Sequence, residues 1–256
     1  MNLTEDSFYD GGQFNTIKKA ISQCNKMLDD GAEIIDVGAY SSRPNAKHIS
    51  IDDEWNRLKK ILPIINKEFP KNILSVDTFR SEIAKRSVEY GADIINDISA
   101  GNLDPKMFDT IANLEVPYII MHMQGSPQNM QNNPNYNCIN KEVYHYFSKK
   151  IKKLQEKGVS QIIIDPGFGF GKTLEHNYQL FNNLEILHNL GLPILVGVSR
   201  KSMIYEVLET DAKSALNGTS VINALCLNKG ASILRVHDVK EAAECVKLIN
   251  FAKNKI

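Results

Sequence analysis

The stretch Ile162-Ile163-Ile164-Asp165-Pro166-Gly167-Phe168-Gly169-Phe170-Gly171-Lys172-Thr173 decides how the chain is read. Consecutive branched apolar residues describe a strand buried on both faces, as strands of a parallel sheet are. A carboxylate stands where that strand should end, and Pro166-Gly167 stops the ladder. The following Phe168-Gly169-Phe170-Gly171 forms a loop that a flat ligand can approach closely and stack upon. An acid closing a dry strand beside aromatic rings suits a planar, nitrogen-rich molecule; the plain alternative is an acid capping its own turn. Gly171-Lys172-Thr173 imitates the end of a phosphate-binding P-loop, but the first glycine of that motif would fall on Pro166, which excludes a triphosphate cradle.

The same strand, polar end and helix recur on both sides of this stretch. Strands are expected at 33–38, 72–77, 93–98, 116–123, 193–198 and 232–237. Helical spacing occupies about 15–30, 53–67, 80–90, 105–112, 140–157 and 174–189, a segment from about 200, then 213–229 and 240–253. This alternation means parallel βαβ units throughout, with no linker or low-complexity break in residues 1–256, so one domain is expected. Seven strands and at least eight helices describe a (β/α)8 barrel lacking its first strand. A doubly wound open sheet is the alternative, but it concentrates its ligand residues at one switch point, whereas here polar residues end nearly every strand.

Length and composition agree. A chain of 256 residues with 43% hydrophobic content fills a sizeable core. Thirty basic residues balance thirty acidic ones, so nothing points to a nucleic-acid or membrane surface, and small molecules are the expected partners. The four cysteines (Cys24, Cys138, Cys226 and Cys245) show no metal-like spacing and suit a reducing cytosol; Cys24, Cys226 and Cys245 read as small core residues. No apolar run reaches the length of a membrane span.

Polar residues at the strand ends are Asp36, Asp77, Asn96, His122, Asp165, Lys201, Arg235 and His237. Side chains alternate along a strand, so Ser75 and Asp77, Ile163 and Asp165, and Arg235 and His237 share faces pairwise. Asp77, Asn96 and Asp165 accept hydrogen bonds and suit a ring edge rich in N–H donors, while Lys201 can donate to a ring carbonyl or nitrogen. Arg43, Arg235 and His237, with Asn2 and Ser42, suit a phosphate group or its metal ion. Blander readings exist for single residues: Asp36 satisfying a loop backbone, His122 as a hydrogen-bonded wall residue, Lys172 pointing to solvent and Arg43 in a surface ion pair. Convergence on one rim favours a ligand, because unpaired buried charges cost several kcal/mol each, roughly 3–5 on the mutational scale.

Taken together, the chain resembles the dihydropteroate synthase family. The resemblance is carried, in order, by the run from Asn2 to Gly12, Ser41-Ser42-Arg43-Pro44, Ser75-Val76-Asp77-Thr78, Asn96-Asp97, the run from Met121 to Pro127, the run from Asp165 to Lys172, Ser199-Arg200-Lys201-Ser202 and Arg235-Val236-His237-Asp238. It implies a cytoplasmic, homodimeric enzyme of folate biosynthesis. Such an enzyme joins 7,8-dihydropterin-6-ylmethyl pyrophosphate to p-aminobenzoate, releases pyrophosphate and uses Mg²⁺. By resemblance, Asp77, Asn96, Asp165 and Lys201 hold the pterin. Asn2, Ser42, Arg43, Arg235 and His237 hold the pyrophosphate, and Asn2 also helps place the metal. Phe8, Pro44, Phe170, Lys201 and Ser202 frame the aminobenzoate pocket, which would also accept sulfonamides. The catalytic set implied is Asp77, Asp165, Lys201, Arg235 and His237. Its chemistry would be a dissociative displacement: Mg²⁺, Arg and His⁺ neutralise the leaving diphosphate while the acids favour a cation-like pterin methylene.

Departures from the family pattern are Glu5 for Pro, Tyr40 for Glu, Asn45 for Gly and Gln124 for Arg. Only Met1 precedes Asn2, where the family places a short apolar strand. The expectation is therefore a truncated start, exposed sheet edges at 33–38 and 232–237, and an Asn2 without its anchoring strand. Two alternatives follow: a pterin-binding chain without turnover, and a pterin-dependent methyltransferase that passes a methyl group to a corrinoid.

Overall fold

The computed structural model describes residues 1–3, 17–41 and 48–254. Strands β1 (Ile34–Gly38), β2 (Ile73–Asp77), β3 (Ile94–Asp97), β4 (Tyr118–Met121) and β5 (Ile162–Asp165) pair in parallel in chain order. β6 (Leu195–Val196) and β7 (Ile233–Leu234) form a second parallel pair. A bridge from Ile164 to Ile194, with Ile164 N–H donating to Pro193 C=O at 3.0 Å, links β5 to the β6 segment. The fold is a TIM barrel.

At its start, Asn2 bridges Gly38 in parallel, Leu3 N–H donates to Gly38 C=O at 2.7 Å and Gly38 N–H to Met1 C=O at 3.0 Å. The first strand is thus present as a short stub on β1. The Gly38 end of the edge expected to be bare at 33–38 is thereby paired, and the Asn2 backbone is held there.

Strand alternation sorts the side chains onto two surfaces. Ile34, Ile94, Ile119, Ile163, Leu195 and Ile233 pack together inside the barrel. Residues of the other parity, among them Ile35, Val37, Leu74, Val76, Ile95, Ile120, Ile162, Ile164 and Val196, join the larger core beneath the helices. Continuing the inner parity toward the strand ends leads to Asp36, Ser75, Asp77, Asn96, Met121, Asp165, Gly197 and Arg235. The polar mouth is therefore built on an isoleucine-rich floor.

The helices differ locally from the expected spans. Behind the first helix, α1 (Ile17–Asp29), Pro63 opens a new helix, so the run expected at 53–67 divides into α2 (Ile51–Leu58) and α3 (Leu62–Glu68). Ser50 starts α2 with a capping box: its hydroxyl accepts from Asp53 N–H, and the Asp53 carboxylate returns to Ser50 N–H. The run at 174–189 is an α-helix only over Leu174–Asn182 and tightens to 3₁₀ geometry over Leu184–Leu190. Among the described residues, no helix is long and apolar enough to cross a membrane. Cys24 and Cys226 are buried, and burial pushes their thiols up to about 11 and about 12, which keeps them unreactive. Cys245 is half-buried and Cys138 exposed.

Candidate active site

Two clusters meet at the barrel mouth. The first centres on Arg235, which leaves the end of β7 and crosses to β1 and β2. Its Nε donates to Asp36 Oδ2 at 2.8 Å, and its Nη2 lies 2.7 Å from the same oxygen and 3.0 Å from Asp77 Oδ2. Asp36 is held from its other side by Ser75 Oγ, which donates to Oδ1 at 2.6 Å, and more loosely by Asn96 Nδ2 at 3.4 Å. Asp77 and Asn96 are neighbours in the β2–β3 register. Gly38 leaves them room, since a Cβ there would sit 3.3 Å from Cβ of Asp77.

Electrostatics separate the two acids. Burial works against ionisation of Asp36, but Arg235, the Met1 amine and Ser75 outweigh it and hold its carboxyl below the usual range. Burial pushes the Asp77 carboxyl up to about 7, an effect opposed by Arg235 and reinforced by the nearby Asp36 charge. The Arg235 side chain keeps 46% of its surface exposed, so solvent entering through the mouth moderates these shifts. Arg235 itself stays cationic, because attraction to Asp36 and Asp77 outweighs burial.

The second cluster is built on the opening stretch. Asp165, 7% exposed, accepts Gly167 N–H at 2.7 Å, and burial raises its carboxyl against the pull of Lys201. Lys201 Nζ donates to Phe168 C=O at 2.6 Å and stands 4.7 Å from the centre of the Phe170 ring. Burial lowers the Lys201 ammonium to about 8, while Asp165 opposes the shift. Phe170 packs on a buried group of Tyr40, Phe79, Ile98, Met121, Met123 and Met130, giving the pocket an apolar wall beside its acids. Ser202 opens the short helix Ser202–Tyr205 and is half-buried.

Lys201 owes its position to a strained turn. Arg200 adopts a left-handed φ of 53° and is clamped by both oxygens of Asp238, at 2.8 and 2.9 Å. His237 belongs to the same corner, its Nδ1 lying 2.9 Å from Ser199 Oγ. Burial, reinforced by Arg235, lowers its imidazole to about 4, so it is neutral at pH 7 in the absence of ligand.

Lys172 corrects an expectation. It is 4% exposed rather than turned to solvent. Its Nζ donates to the carbonyls of Gly167 at 2.8 Å, Phe170 at 3.0 Å and His122 at 3.3 Å, and lies 3.0 Å from His122 Nδ1. This bolts the glycine-rich loop to the end of β4. The fit admits no extra atoms: a Cβ on Gly167, at φ +69°, would lie 2.0 Å from His122 O, and one on Gly171 2.7 Å from Gln124 O. His122 is the buried wall residue expected, its edge against the Tyr146 ring at 4.8 Å.

Asp36 also departs from its bland reading, because among the described residues its carboxylate serves the side chains of Ser75, Asn96 and Arg235. Strand parity was the available signal, since Asp36 shares the inner face with Ile34. Ser75 and Ser199 were missed as supports, and short hydroxyls carry no spacing signal. Asp97, next to Asn96, turns the other way and is spent on Tyr118 Oη at 2.6 Å and on Ser99 and Gly101. Phe8, Ser42, Arg43 and Pro44, with the departures at Glu5 and Asn45, lie outside the described residues. Tyr40 hydrogen-bonds His48 Nδ1 at 3.1 Å and receives Gln128 Nε2 at 2.9 Å.

Comparison with known proteins fits this geometry. The family model described as pterin binding enzyme matches residues 1–237. The chain is 40% identical over 251 residues to the dihydropteroate synthase of Escherichia coli (strain K12), covering 97% of this chain and 88% of that protein. A crystal structure of Yersinia pestis dihydropteroate synthase with a sulfonamide drug complex superposes with a TM-score of 0.95 at 36% identity, covering 100% of this chain and 92% of that one. The Xanthomonas albilineans dihydropteroate synthase with 4-aminobenzoic acid gives 0.90 at 33% identity, covering 98% and 90%.

Proposed function

The chain belongs to the pterin-binding enzyme family, among its dihydropteroate synthases, and we propose that the two clusters at its barrel mouth divide the work on one substrate. It is a transferase that condenses 7,8-dihydropterin-6-ylmethyl pyrophosphate with p-aminobenzoate to give 7,8-dihydropteroate and pyrophosphate. In our reading Asp77, Asn96 and Asp165 accept from and orient the pterin ring, Lys201 donates to it, and Phe170 supplies a stacking face. Arg235, His237 and Asn2, with Ser42 and Arg43, hold the diphosphate. Phe170, Lys201 and Ser202, with Phe8 and Pro44, border the aminobenzoate. The relatives solved with 4-aminobenzoic acid and with a sulfonamide support an arylamine pocket of this kind.

The observation that carries this division is the placement of Arg235 between acids: a cation that reaches the ring-binding Asp77 can also reach an anion attached to that ring. As the carbon–oxygen bond to the diphosphate breaks, positive charge spreads from the methylene into the dihydropterin ring. Asp77 and Asp165 favour that charge, Arg235 takes up the charge of the leaving group, and the neutral arylamine attacks without a general base, its surplus proton passing to solvent water once the carbon–nitrogen bond has formed. Among the described residues no group of three His, Cys, Asp or Glu forms a metal cage. One asparagine oxygen at Asn2 fits Mg²⁺ brought in by the diphosphate, because this ion keeps waters and uses few protein ligands. Bound there, Mg²⁺ would neutralise leaving-group charge.

Val221 and Leu225 on the helix Leu216–Asn228 and Leu248 on the helix Val239–Asn254 are exposed apolar residues that support a homodimer; sedimentation would show a mass of twice 28.8 kDa. The balanced charge and inert buried thiols support a cytoplasmic setting. Function is tested by following pyrophosphate release with and without p-aminobenzoate. Release that depends on the arylamine and is lost in Asp165→Asn supports the reading. Ring binding without release would favour the non-catalytic alternative and overturn it.

A further inference from the structure

Among the described residues Arg235 has two carboxylate partners, and they are not equivalent. Asp36 engages both Nε and Nη2, and is itself fixed by Ser75 at 2.6 Å and Asn96 at 3.4 Å. Asp77 engages Nη2 alone, at 3.0 Å, and is the acid already assigned to the pterin ring. A ring that draws Asp77 away therefore removes one of Arg235's tethers and leaves the other.

We propose that Asp36 is a positioning residue that acts through Arg235, keeping the guanidinium at the mouth when Asp77 turns to the ring, so that ring binding and diphosphate binding reinforce each other. This rests on the site assignment above. In the ligand-free site Nη2 is shared between two acids. Once the ring occupies Asp77, Asp36 still orients the group through Nε, and Nη2 can turn to the diphosphate. Asn96 extends the coupling, because the same side chain that contacts Asp36 is proposed to accept from the ring.

The sign of one measurement separates this role from simple electrostatics. Removing a carboxylate beside an anion site should, by charge alone, tighten pyrophosphate. A positioning role predicts the opposite. Inorganic pyrophosphate is titrated calorimetrically into the full chain with Mg²⁺, with and without 6-hydroxymethyl-7,8-dihydropterin, for the wild type, Asp36→Asn, Arg235→Gln and the double variant. In the wild type the pterin alcohol should tighten pyrophosphate by roughly 5-fold or more. In Asp36→Asn, pyrophosphate affinity in the ternary complex should fall by about tenfold and KM for the diphosphate substrate should rise in step. Binding of the pterin alcohol alone should change far less. The double variant should lose no more than Arg235→Gln.

Tighter or unchanged pyrophosphate in Asp36→Asn overturns the proposal, as does additive loss in the double variant. If Asp36→Asn does not fold, Ser75→Ala, which releases the carboxylate while keeping its charge, replaces it; an unchanged ternary affinity there has the same consequence. Should Arg235→Gln bind pyrophosphate as the wild type does, the fault lies in the site assignment itself, which this arm exposes separately.

Discussion

Lys172 Nζ lies 3.0 Å from Nδ1 of His122 and donates to three backbone carbonyls, so one buried ammonium ties the loop after β5 to the end of β4. Burial lowers this group to about 7, opposed by the Asp165 charge and reinforced by Lys201. Lys172→Met keeps the bulk and strips the donors. Leaving carbonyls unpaired in a dry site should cost about 2–4 kcal/mol in urea unfolding. Because Lys201 leans on Phe168 and Phe170, KM for both substrates should also rise. A loss below ~0.5 kcal/mol would mean that water takes over the ammonium's role.

Asp165→Asn tests the ring site directly. The amide keeps an oxygen for Gly167 N–H but presents its donor N–H groups where the carboxylate accepted. Affinity for 6-hydroxymethyl-7,8-dihydropterin should weaken by roughly 1.5–3 kcal/mol, the range for hydrogen bonds to a charged group. Unchanged affinity by calorimetry would place the ring elsewhere.

The pH dependence follows from Asp77 and Lys201. Asp77 must be ionised to accept a ring N–H, and burial holds it near about 7, so ring capture is lost as pH falls through that value. Lys201 must carry its proton to donate, and burial lowers it to about 8, so capture is lost again as pH rises beyond. kcat/KM should therefore trace a narrow bell, with apparent limbs belonging to the coupled Asp36–Arg235–Asp77 group and to Lys201. A profile flat from pH 5 to 7 would remove Asp77 from this role. Asp77→Asn should abolish the acid limb along with most activity.

Glu54 and Arg80 form a buried pair at 2.7 Å, with side chains 0% and 8% exposed. Thr78 Oγ1 donates to the second Glu54 oxygen at 2.7 Å, and Arg80 reaches Ile49 C=O at 2.6 Å, so this pair fixes where the chain re-enters α2. Glu54→Ala would strand the guanidinium and is expected to cost about 3–5 kcal/mol. At this chain length that lowers the melting midpoint by roughly 6–20 °C by calorimetry. A shift under ~3 °C would show that solvent reaches Arg80.

What could be read in advance follows the periodicities. Parallel strands with branched apolar cores, and acids at their ends, announce the barrel and its mouth, because alternation fixes which residues face inward. Asp77, Asn96, Asp165 and Arg235 are legible on that basis. Lys172 is not, since a lysine in a glycine-rich loop carries no period and its burial depends on carbonyls from Gly167 and His122 that only the folded turn brings together. The division of the helix at Pro63 carried a signal in the proline itself, which the expected single helix at 53–67 passed over. The stub ahead of β1 was not legible for another reason: backbone pairing of Asn2 with Gly38 needs no side-chain pattern.

His237 gives the last test. In the ligand-free site burial and Arg235 hold its imidazole at about 4, so it enters the reaction neutral at pH 7. A diphosphate reverses the local charge by engaging Arg235 and adding its own negative oxygens, both of which raise the imidazole's affinity for a proton. Pyrophosphate binding should therefore take up about one proton, and affinity should fall as pH rises through the bound-state value. Calorimetry at pH 7 in buffers of different ionisation enthalpy reads this uptake as a slope. Pyrophosphate has protons of its own, so the informative quantity is the difference between the wild type and His237→Asn. A difference near one proton makes the histidine a cation only when its anion arrives, whereas identical slopes would mean that the leaving charge is met without a proton on His237.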